Sequence, residues 1–496
     1  MLEKITKARN IHIVGLSGTE GAAVTLFLAG KKIPFTAHDF AEKPRFAKNF
    51  ASAHMGLSPA KREKMLKKLQ AFENKTNFGK NYLAGIEAAD LIFVSQNWEA
   101  YSPNEKLREI FATHPKRFAT ITQLYFNLFP GKILAVTGTN GKSTTTKLIS
   151  EIMSTASRQH DKSSGQRVDK VWFTGNDRRN VQILDCLSKW RKSDWLVIEV
   201  SNRQLKFDLG RAPNIGVITN VTDNHLNEYS DGMKGYKAGK YSLIAKQQKG
   251  DIAVLNADNQ ATLSFLKQTK ATPLPYSVDK QLETGVRVDS GNIVYSTEWT
   301  ASGQRVDKVV CPVDKIQLLG VHNLSNVLAA VAATHAAGVS FEIIKKVITN
   351  FKGIPQRLEL VAQKRGVKFI NDSASTSPDS AIAALRSFPV GSIHLIAGGD
   401  PKGMQFNLLA REIQQQKAKV ILLKSPAGEA IAGELRKLKL GFEMIDNLQQ
   451  AVIKAAKNAQ KGEYVLLSPA AAWFCYFNGK IPLGGKGFEL FVRKLT

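Results

Sequence analysis

Cysteine is scarce: three residues, Cys186, Cys311 and Cys475, are scattered over 496 positions. Their spacing matches no metal-ligand pattern, which excludes a cysteine-built metal site and suits a reducing compartment, where each is a small buried apolar residue. Long hydrophobic runs are missing too. No stretch approaches the ~20 apolar residues of a membrane-spanning helix, and the opening MLEKITKARN lacks the apolar centre of a secretory signal. A cytoplasmic protein with no membrane partner is the expectation. Acidic residues are few beside basic ones, 42 Asp and Glu against 69 Lys and Arg, for a formal charge of +27. Such a field draws in polyanions, either nucleic acid or a nucleotide-linked small molecule. The lysines are dispersed, with no RNA-binding aromatic signature and no recognition helix, so nucleic acid is the weaker reading.

What is present is ordinary globular composition, 43% hydrophobic and 22% charged, in a chain long enough for three domains. The most informative stretch is Gly131–Lys147, GKILAVTGTNGKSTTTK. Ile133–Thr137 reads as a buried strand, Gly138-Thr139-Asn140-Gly141-Lys142-Ser143-Thr144 as a glycine turn, and the residues after it as a helix. Glycines let backbone N–H groups close on phosphate oxygens, and a helix N-terminus adds favourable partial charge. Lys142 can reach the outer phosphates from a solvent-facing loop, while Ser143 or Thr144 can offer a hydroxyl to Mg²⁺. An ATP site follows, although Val136 stands where the usual loop has its first glycine.

Upstream, Ile11–Gly15 is a strand that runs into Gly15, Ser17, Gly18 and Gly21, and Phe35–His38 is a second strand that ends on Asp39. A glycine turn after one strand with an acid ending the next is a nucleotide-binding arrangement of Rossmann type. Pro59–Asn74 is an amphipathic helix and Ala89–Ser95 a third strand. Downstream, Trp195–Val200 carries Glu199 at its carboxyl end, and Asn214–Val221 leads directly to Asp223-Asn224-His225. Ligands of open parallel sheets sit at the carboxyl ends of strands, so Lys142, Glu199 and His225 can converge from three of them. Glu199 would bind Mg²⁺, and His225 a second metal. Asn323 and Asn326 lie one turn apart, just before an Ala-rich helix, Val327–Ala337, so both amides can face one site.

From about residue 353 strands and helices alternate again, through Val367–Asn371, Ile393–Ala397, Val420–Lys424, Phe442–Ile445 and Tyr464–Leu467. The expected architecture is therefore α/β with three domains. Residues 1–130 would be Rossmann-like, 131–352 a P-loop ATPase-like parallel sheet, and 353–496 Rossmann-like. One oddity is that SGQRVDKV occurs twice, at Ser164–Val171 and Ser302–Val309. Both copies are polar and read as loops between elements, with no catalytic role.

Taken in order, TGTNGKST, the Glu199-Val200-Ser201-Asn202-Arg203-Gln204-Leu205 run, NVTDNH, LGVHNLSN, GIPQRLE, FINDSAST, AGGDPKG and LLSPAAA resemble the motifs of the Mur ligases. The likeness covers nearly the whole chain and is nearest to the members that add D-glutamate. It implies an ATP-dependent ligase that joins D-glutamate to UDP-N-acetylmuramoyl-L-alanine in cell-wall synthesis, acting as a monomer with ATP and two Mg²⁺. Carried over, Lys142 grips phosphate within the 138–144 loop, Ser143 and Glu199 bind one Mg²⁺, and His225 binds the other. Lys240, in KAGK, matches the lysine that the family carbamylates into an anionic metal-site group. Asn323, Asn326, Arg357 and Asp372 fall where the family holds the nucleotide, Arg357 reaching it when domains close. Gly15, Ser17, Gly18, Asp39, Asn176, Ser201, Lys402 and Ser468 fall on the UDP-sugar and amino-acid side. The chain departs from the family pattern at Asn224, where an Asp usually precedes the His, and at Ala374, where a Lys is common. Trp473 and Lys480 occupy the loop that handles the D-glutamate side chain, and Ser95-Gln96-Asn97 replaces a Ser-Pro-Gly turn. Two other readings share these residues: a different ligase of this superfamily, including a folylpolyglutamate synthase, and a P-loop protein that binds nucleic acid.

Overall fold

The computed structural model describes residues 1–159, 169–175, 181–222, 229, 231–296, 306–401, 404–471 and 485–495. The chain folds as two compact units, one of Met1–Lys315 with Ser325–Thr349 and the other of Ile316–Leu324 with Asn350–Thr496. Both are α/β, and three sheets organise them, two in the first unit and one in the second.

The first sheet contains β1 (Ile11–Val14), β2 (Thr36–Asp39), β3 (Thr76–Phe78), β4 (Leu91–Phe93) and β5 (Phe118–Ala119). All are parallel, in the order β3-β2-β1-β4-β5. The chain leaves β1 through a glycine turn into the helix Thr19–Gly30, which is buried along most of its length. Gly21 has no room for a side chain, because a Cβ there would overlap the carbonyl oxygen of Gly15. That contact sets the helix hard against the turn.

The second sheet runs through β6 (Lys132–Thr137), β7 (Val171–Gly175), β8 (Trp195–Glu199), β9 (Ile215–Ile218), β10 (Ile252–Asn256), β11 (Thr272–Ser277), β12 (Gly285–Asp289), β13 (Asn292–Ser296) and β14 (Asp307–Pro312). Its order is β14-β13-β12-β11-β10-β9-β6-β8-β7, parallel except where β13 runs against its two neighbours. β6, β8 and β9 lie inside the sheet and are buried almost throughout, which is why they read as unbroken apolar runs rather than alternating ones. A single apolar core joins both sheets of this unit, from Ile5, Ile13 and Phe27 through Phe126 and Ile133 to Leu196 and Phe265.

The third sheet has β15 (Glu359–Lys364), β16 (Val367–Asn371), β17 (Ile393–Ala397), β18 (Lys419–Leu423), β19 (Glu443–Ile445) and β20 (Tyr464–Leu467), in the order β15-β16-β20-β17-β18-β19. Its five later strands are parallel, and β15 is an antiparallel edge that the sequence pattern did not show. Among the described residues no helix is long and apolar enough to cross a membrane.

The repeated segment needs correcting. Its first copy ends on Val171, which opens β7, and its second ends inside β14 with Asp307, Lys308 and Val309. β7 and β14 are the two opposite edges of one sheet. In the second copy Asp307 is structural: it accepts from the Arg287 guanidinium at 2.7 Å and from the Ser296 hydroxyl at 2.6 Å. Arg287 is fully buried, and an unpaired guanidinium there would be costly. These ends are strand, not loop.

Replacing Gly21 by Ala should destabilise the first unit by about 1–3 kcal/mol, since the atom it meets is backbone and cannot swing away. Gly30→Ala in the same helix, where an added Cβ meets nothing within 4 Å, is the control. Urea unfolding should separate the two variants; equal midpoints would mean that the turn relaxes around the new methyl.

Candidate active site

At the carboxyl end of β6 the backbone takes two conformations that suit glycine, φ +149° at Gly138 and +82° at Gly141. A Cβ at Gly138 would overlap the Thr219 hydroxyl beyond β9, and one at Gly141 the Asn326 amide. The turn is held from the side as well: Thr139 N–H donates to the Asn220 carbonyl and Asn140 N–H to the Asn220 side chain, both at 2.9 Å. The helix Lys142–Gln159 then starts, anchored by buried Thr145, Thr146, Leu148 and Ile149. A helix N-terminus behind a glycine turn presents backbone N–H groups and partial positive charge, which is what an anion needs.

Lys142 does not stand on a solvent-facing loop as expected. It is the first residue of the helix, half-buried, and its ammonium folds back to donate to the carbonyls of Gly138 at 2.9 Å and Thr139 at 2.7 Å. The charge is thus parked over the turn it would serve, with two acceptors that a phosphate can replace.

Register brings the other groups to the same sheet end. Glu199 lies opposite Val136 on β6 and Gly175 on β7, and is 2% exposed. Gly175 clears space for it, as a Cβ there would come within 2.7 Å of Glu199. Lys240, on the helix Met233–Tyr241, has no solvent exposure at all; its amine donates to Thr137 Oγ1 at 3.2 Å and lies 5.3 Å from the Tyr236 ring centroid. Tyr236 in turn meets the Thr139 hydroxyl at 3.0 Å, so the lysine helix and the glycine turn share one buried polar network. Lys240 is therefore not part of a solvated helix face. Ser201 caps the turn after β8, with its N–H on Gln204 Oε1 at 2.8 Å and its hydroxyl accepting from Gln204 N–H at 3.3 Å. Asn326 accepts from Thr145 at 3.3 Å and so belongs to the glycine turn, whereas Asn323 donates to the Leu319 carbonyl at 2.8 Å. Ser143 and Thr144 are half-buried and Asn140 is exposed.

His225, Asn176 and Lys402 lie outside the described residues, as do Asn224, Trp473 and Lys480. Among the described residues no three or more His, Cys, Asp or Glu side chains cluster. Mg²⁺ takes oxygen ligands and keeps several waters, and the Ser143 hydroxyl, in the first turn of the helix after β6, and the Glu199 carboxylate, at the end of the adjoining β8, are donors of that kind.

In the first sheet Asp39 does not project freely. Its carboxylate accepts from Ser17 N–H at 2.5 Å and from Ala41 N–H at 2.9 Å, tying the loops after β1 and β2 together. Gly15 takes φ +88° and its carbonyl accepts from Gly18 N–H at 3.0 Å, so these expected contact residues form one compact turn. Glu20 was missed by sequence reasoning. It is 7% exposed and accepts from Gln96 N–H at 2.8 Å and Gln204 Nε2 at 3.4 Å. Burial pushes its carboxyl up to about 7, against those two hydrogen bonds. Nearby, Arg203 bonds Asn97 and Lys206 pairs with Glu99. The Ser95–Asn97 departure noted above therefore belongs to a polar joint between the first sheet and the loop after β8. Its only sequence signal was an acid inside a small, apolar stretch.

In the second unit Asp372 is 4% exposed and accepts from Leu358 N–H at 3.1 Å and the Ser468 hydroxyl at 2.8 Å. Burial raises its carboxyl to about 6, with the Ser375, Ser468 and Leu358 donors and the Arg357 charge opposing. Asp372, Ser468 and Arg357 are thus brought together, and Arg357 itself is exposed.

Glu20 makes stability depend on pH in a definite direction. Its folded value near 7 lies above the ordinary 4.5, so its contribution is full below 4.5 and lost as pH rises through 7. Between pH 5 and 8 the wild type should lose about 2–3 kcal/mol more unfolding free energy than Glu20→Gln. Parallel pH profiles in urea would show that Glu20 is ionised in both states.

Known proteins carry the same sequence features. Residues 136–334 match the Mur ligase middle domain and 356–471 the Mur ligase, glutamate ligase domain. UDP-N-acetylmuramoylalanine--D-glutamate ligase of Pelotomaculum thermopropionicum is 39% identical over 351 residues, 70% of this chain and 71% of that protein. The enzyme of the same name from Thermoanaerobacter sp. (strain X514) is 29% identical over 478 residues, 95% of this chain and 96% of its own. In fold the chain is similar to a pseudomurein peptide ligase type C from Methanothermus fervidus, with a TM-score of 0.55 and 17% identity over 98% of this chain and 99% of that one. It is also similar to the MurF ligase of Thermotoga maritima, solved with ADP, at a TM-score of 0.52 and 16% identity over 86% and 92% of the two chains. With the glycine turn, the strand-end carboxylate and the buried lysine in place on a three-sheet α/β fold, this chain belongs to the Mur ligase family.

Proposed function

We propose that this chain is an ATP-dependent ligase that adds D-glutamate to UDP-N-acetylmuramoyl-L-alanine through an acyl phosphate, in peptidoglycan precursor synthesis. The observation that carries the reading is the Gly138–Lys142 turn, folded around its own lysine at the end of β6, beside the strand that ends on Glu199. The names of its relatives support the substrates. A cytoplasmic monomer is part of the same reading.

The chemistry has two steps. A substrate carboxylate oxygen attacks the γ-phosphorus of ATP as the bond to ADP breaks, and the resulting acyl phosphate is then attacked by the amino-acid amine as phosphate leaves. The first step brings a carboxylate to a phosphate that is already negative. The turn's N–H groups and Lys142, moved from the carbonyls of Gly138 and Thr139 onto phosphate oxygens, counter that repulsion. Ser143 and Glu199 would hold one Mg²⁺, which when bound supplies further neutralisation of phosphate charge. His225 is assigned to a second ion, together with a carbamylated Lys240. Lys240 suits that assignment because full burial favours the neutral amine, whose nitrogen can add CO₂ and release a proton to give a carbamate anion in place. Asn326 steadies the turn. Asn323, Arg357 and Asp372 are assigned to the nucleotide, and Asn176, Lys402 and Ser468 to the other substrates, as the motifs imply.

The deciding experiment measures phosphate release by the purified protein across UDP-muramoyl substrates and amino acids. Activity should require UDP-N-acetylmuramoyl-L-alanine and D-glutamate together; turnover only with a different pair would replace this reading with another ligase step. Lys142→Ala should lower kcat/KM at least about 100-fold, the size expected for losing a charge-stabilising donor, with its unfolding curve near wild type. Near-normal turnover would remove the phosphate role.

Lys240→Ala should be nearly inactive, and acetate should partly restore it by standing in for the carbamate, whereas acetamide should not. If acetate and acetamide act alike in a folded variant that still binds ATP, Lys240 works as a plain amine.

A further inference from the structure

β1 and β2 each carry a histidine into the interior of the first sheet, and nothing in the mechanism uses them. His12 lies beside Ile92 of β4 and His38 beside Val14 of β1, so both rings are on the sheet face that buries those two residues. His12 is 4% exposed and His38 not at all. The ring centroids are 4.9 Å apart and the ring planes differ by 19°. His12 Nδ1 is 2.7 Å from His38 Nε2, a hydrogen-bond distance that needs one proton between them. The outer nitrogens have partners as well: His12 Nε2 is 3.0 Å from Asn10 Oδ1, and His38 Nδ1 meets the Tyr82 carbonyl.

Both ends of this chain of contacts are acceptors. A carbonyl cannot donate, and the Asn10 amide is oriented by its Nδ2, which donates to the Ala88 carbonyl at 3.0 Å. Turned over, the amide would set oxygen against oxygen there. Each end therefore calls for a ring N–H, and the junction between the rings calls for one more. Two neutral imidazoles bring one proton each, and two imidazoliums bring two each. With two protons, one contact is left as lone pair against lone pair inside the fold. With four, two N–H groups confront each other across the junction. Three protons, one positive charge over two rings, satisfy every contact.

The ionisable groups of the elements around the pair are committed to other partners. On β2 Asp39 accepts from Ser17 and Ala41 N–H, and after β3 the Tyr82 hydroxyl is on Asn104. Before β4, Glu87 pairs with Lys106, and Asp90 accepts from Arg9 and Asn10 N–H. Arg117, before β5, donates to the Glu87 carbonyl, and Arg108 to the carbonyls of Glu99, Tyr101 and Ser102. Two forces then act on the pair: burial disfavours any charge, and hydrogen bonding favours one. Burial, and next the charge of His38, push His12 down to about 4; burial lowers His38 too, with the Tyr82 carbonyl opposing. Rings coupled in this way titrate as a pair.

We propose that His12 and His38 form a single-proton acid sensor in the first sheet: folded, the pair accepts one proton as pH falls and refuses the second, which enters only when the join of β1 and β2 opens. Its position gives that opening a consequence. The His38 carbonyl accepts from Gly15 N–H at 2.8 Å and Leu16 N–H at 3.2 Å, and Asp39 follows it to hold Ser17. The glycine turn after β1 is thus fastened to this join, and acid loosens it. Unfolded histidines charge near about 6.5, and both folded values lie lower, so the pair's contribution is full above 6.5 and lost as pH falls.

Two measurements on the full-length protein decide it. In long-range ¹H–¹⁵N spectra of protein labelled at its nine histidines, the His12 and His38 nitrogens should move through one shared midpoint between about pH 8 and pH 4.5, together gaining one proton. Separate midpoints that sum to two protons, or no titration of either ring before unfolding, would overturn the sensor. In urea, the unfolding constant below about pH 5.5 should rise about tenfold per pH unit more steeply in the wild type than in the double variant His12→Val, His38→Val, because one proton enters the pair on unfolding. An extra rise of about a hundredfold per pH unit would mean that the folded pair holds no proton, and equal slopes that both rings charge freely in the fold; either result refutes the proposal. Should the double variant fail to fold, the wild-type spectra carry the test alone.

Discussion

The close approach of backbone at Gly138 and Gly141 is the constraint on which the rest of the central domain depends. With no Cβ at either position, the turn after β6 can lie against Thr219 on one side and Asn326 on the other. The helix Lys142–Gln159 can then begin where the strand ends. A side chain at either position would have to displace Thr219 or the Asn326 amide and would hold an unfavourable positive φ as well. The glycines thus act through geometry, and the charge that does the chemistry is placed by them.

A second layer of order comes from polar groups buried behind the turn. Thr137 donates to the Val200 carbonyl at 2.7 Å and receives the Lys240 amine, while Thr139 meets Tyr236. Each hydroxyl is shared between β6 or its turn and another element, so movement of the lysine helix is coupled to the phosphate turn. Buried networks of this kind cost little when every member is satisfied and a great deal when one is removed. The joint of Glu20, Gln96 and Gln204 does the same for the first sheet, linking its glycine turn to the loop that follows Glu199.

Much of this was legible in the residues. The strands read at Ile133–Thr137 and Trp195–Val200 announced themselves as apolar runs because they lie inside a parallel sheet, where both faces are covered. The turn was readable because two glycines, a lysine and a hydroxyl residue sat between a strand and a helix. Lys240 was singled out by its motif, but burial of that lysine among Lys234, Lys237 and Lys240 depends on which helix face meets β6, and local pattern is silent on this. Lys142 was placed in solvent because no rule of spacing shows a side chain folding back on its own turn. β15 was missed since a half-exposed antiparallel edge lacks the apolar run of its parallel neighbours. The repeat was read as loop for its polarity, whereas Asp307 is polar because Arg287 is buried against it. Glu20 stayed hidden because its meaning lies in contacts between loops that are distant in sequence.

The central claim is that the turn after β6 serves phosphoryl transfer to a carboxylate, and oxygen tracing tests it most directly. UDP-N-acetylmuramoyl-L-alanine labelled with ¹⁸O in its alanyl carboxylate is turned over with ATP and D-glutamate, and the released phosphate is analysed by mass spectrometry. An acyl phosphate transfers one labelled oxygen to each phosphate released, so phosphate should carry a single ¹⁸O in proportion to product formed. Unlabelled phosphate beside normal product would mean that the carboxylate never accepted the γ-phosphoryl group, and the account of this site would be wrong.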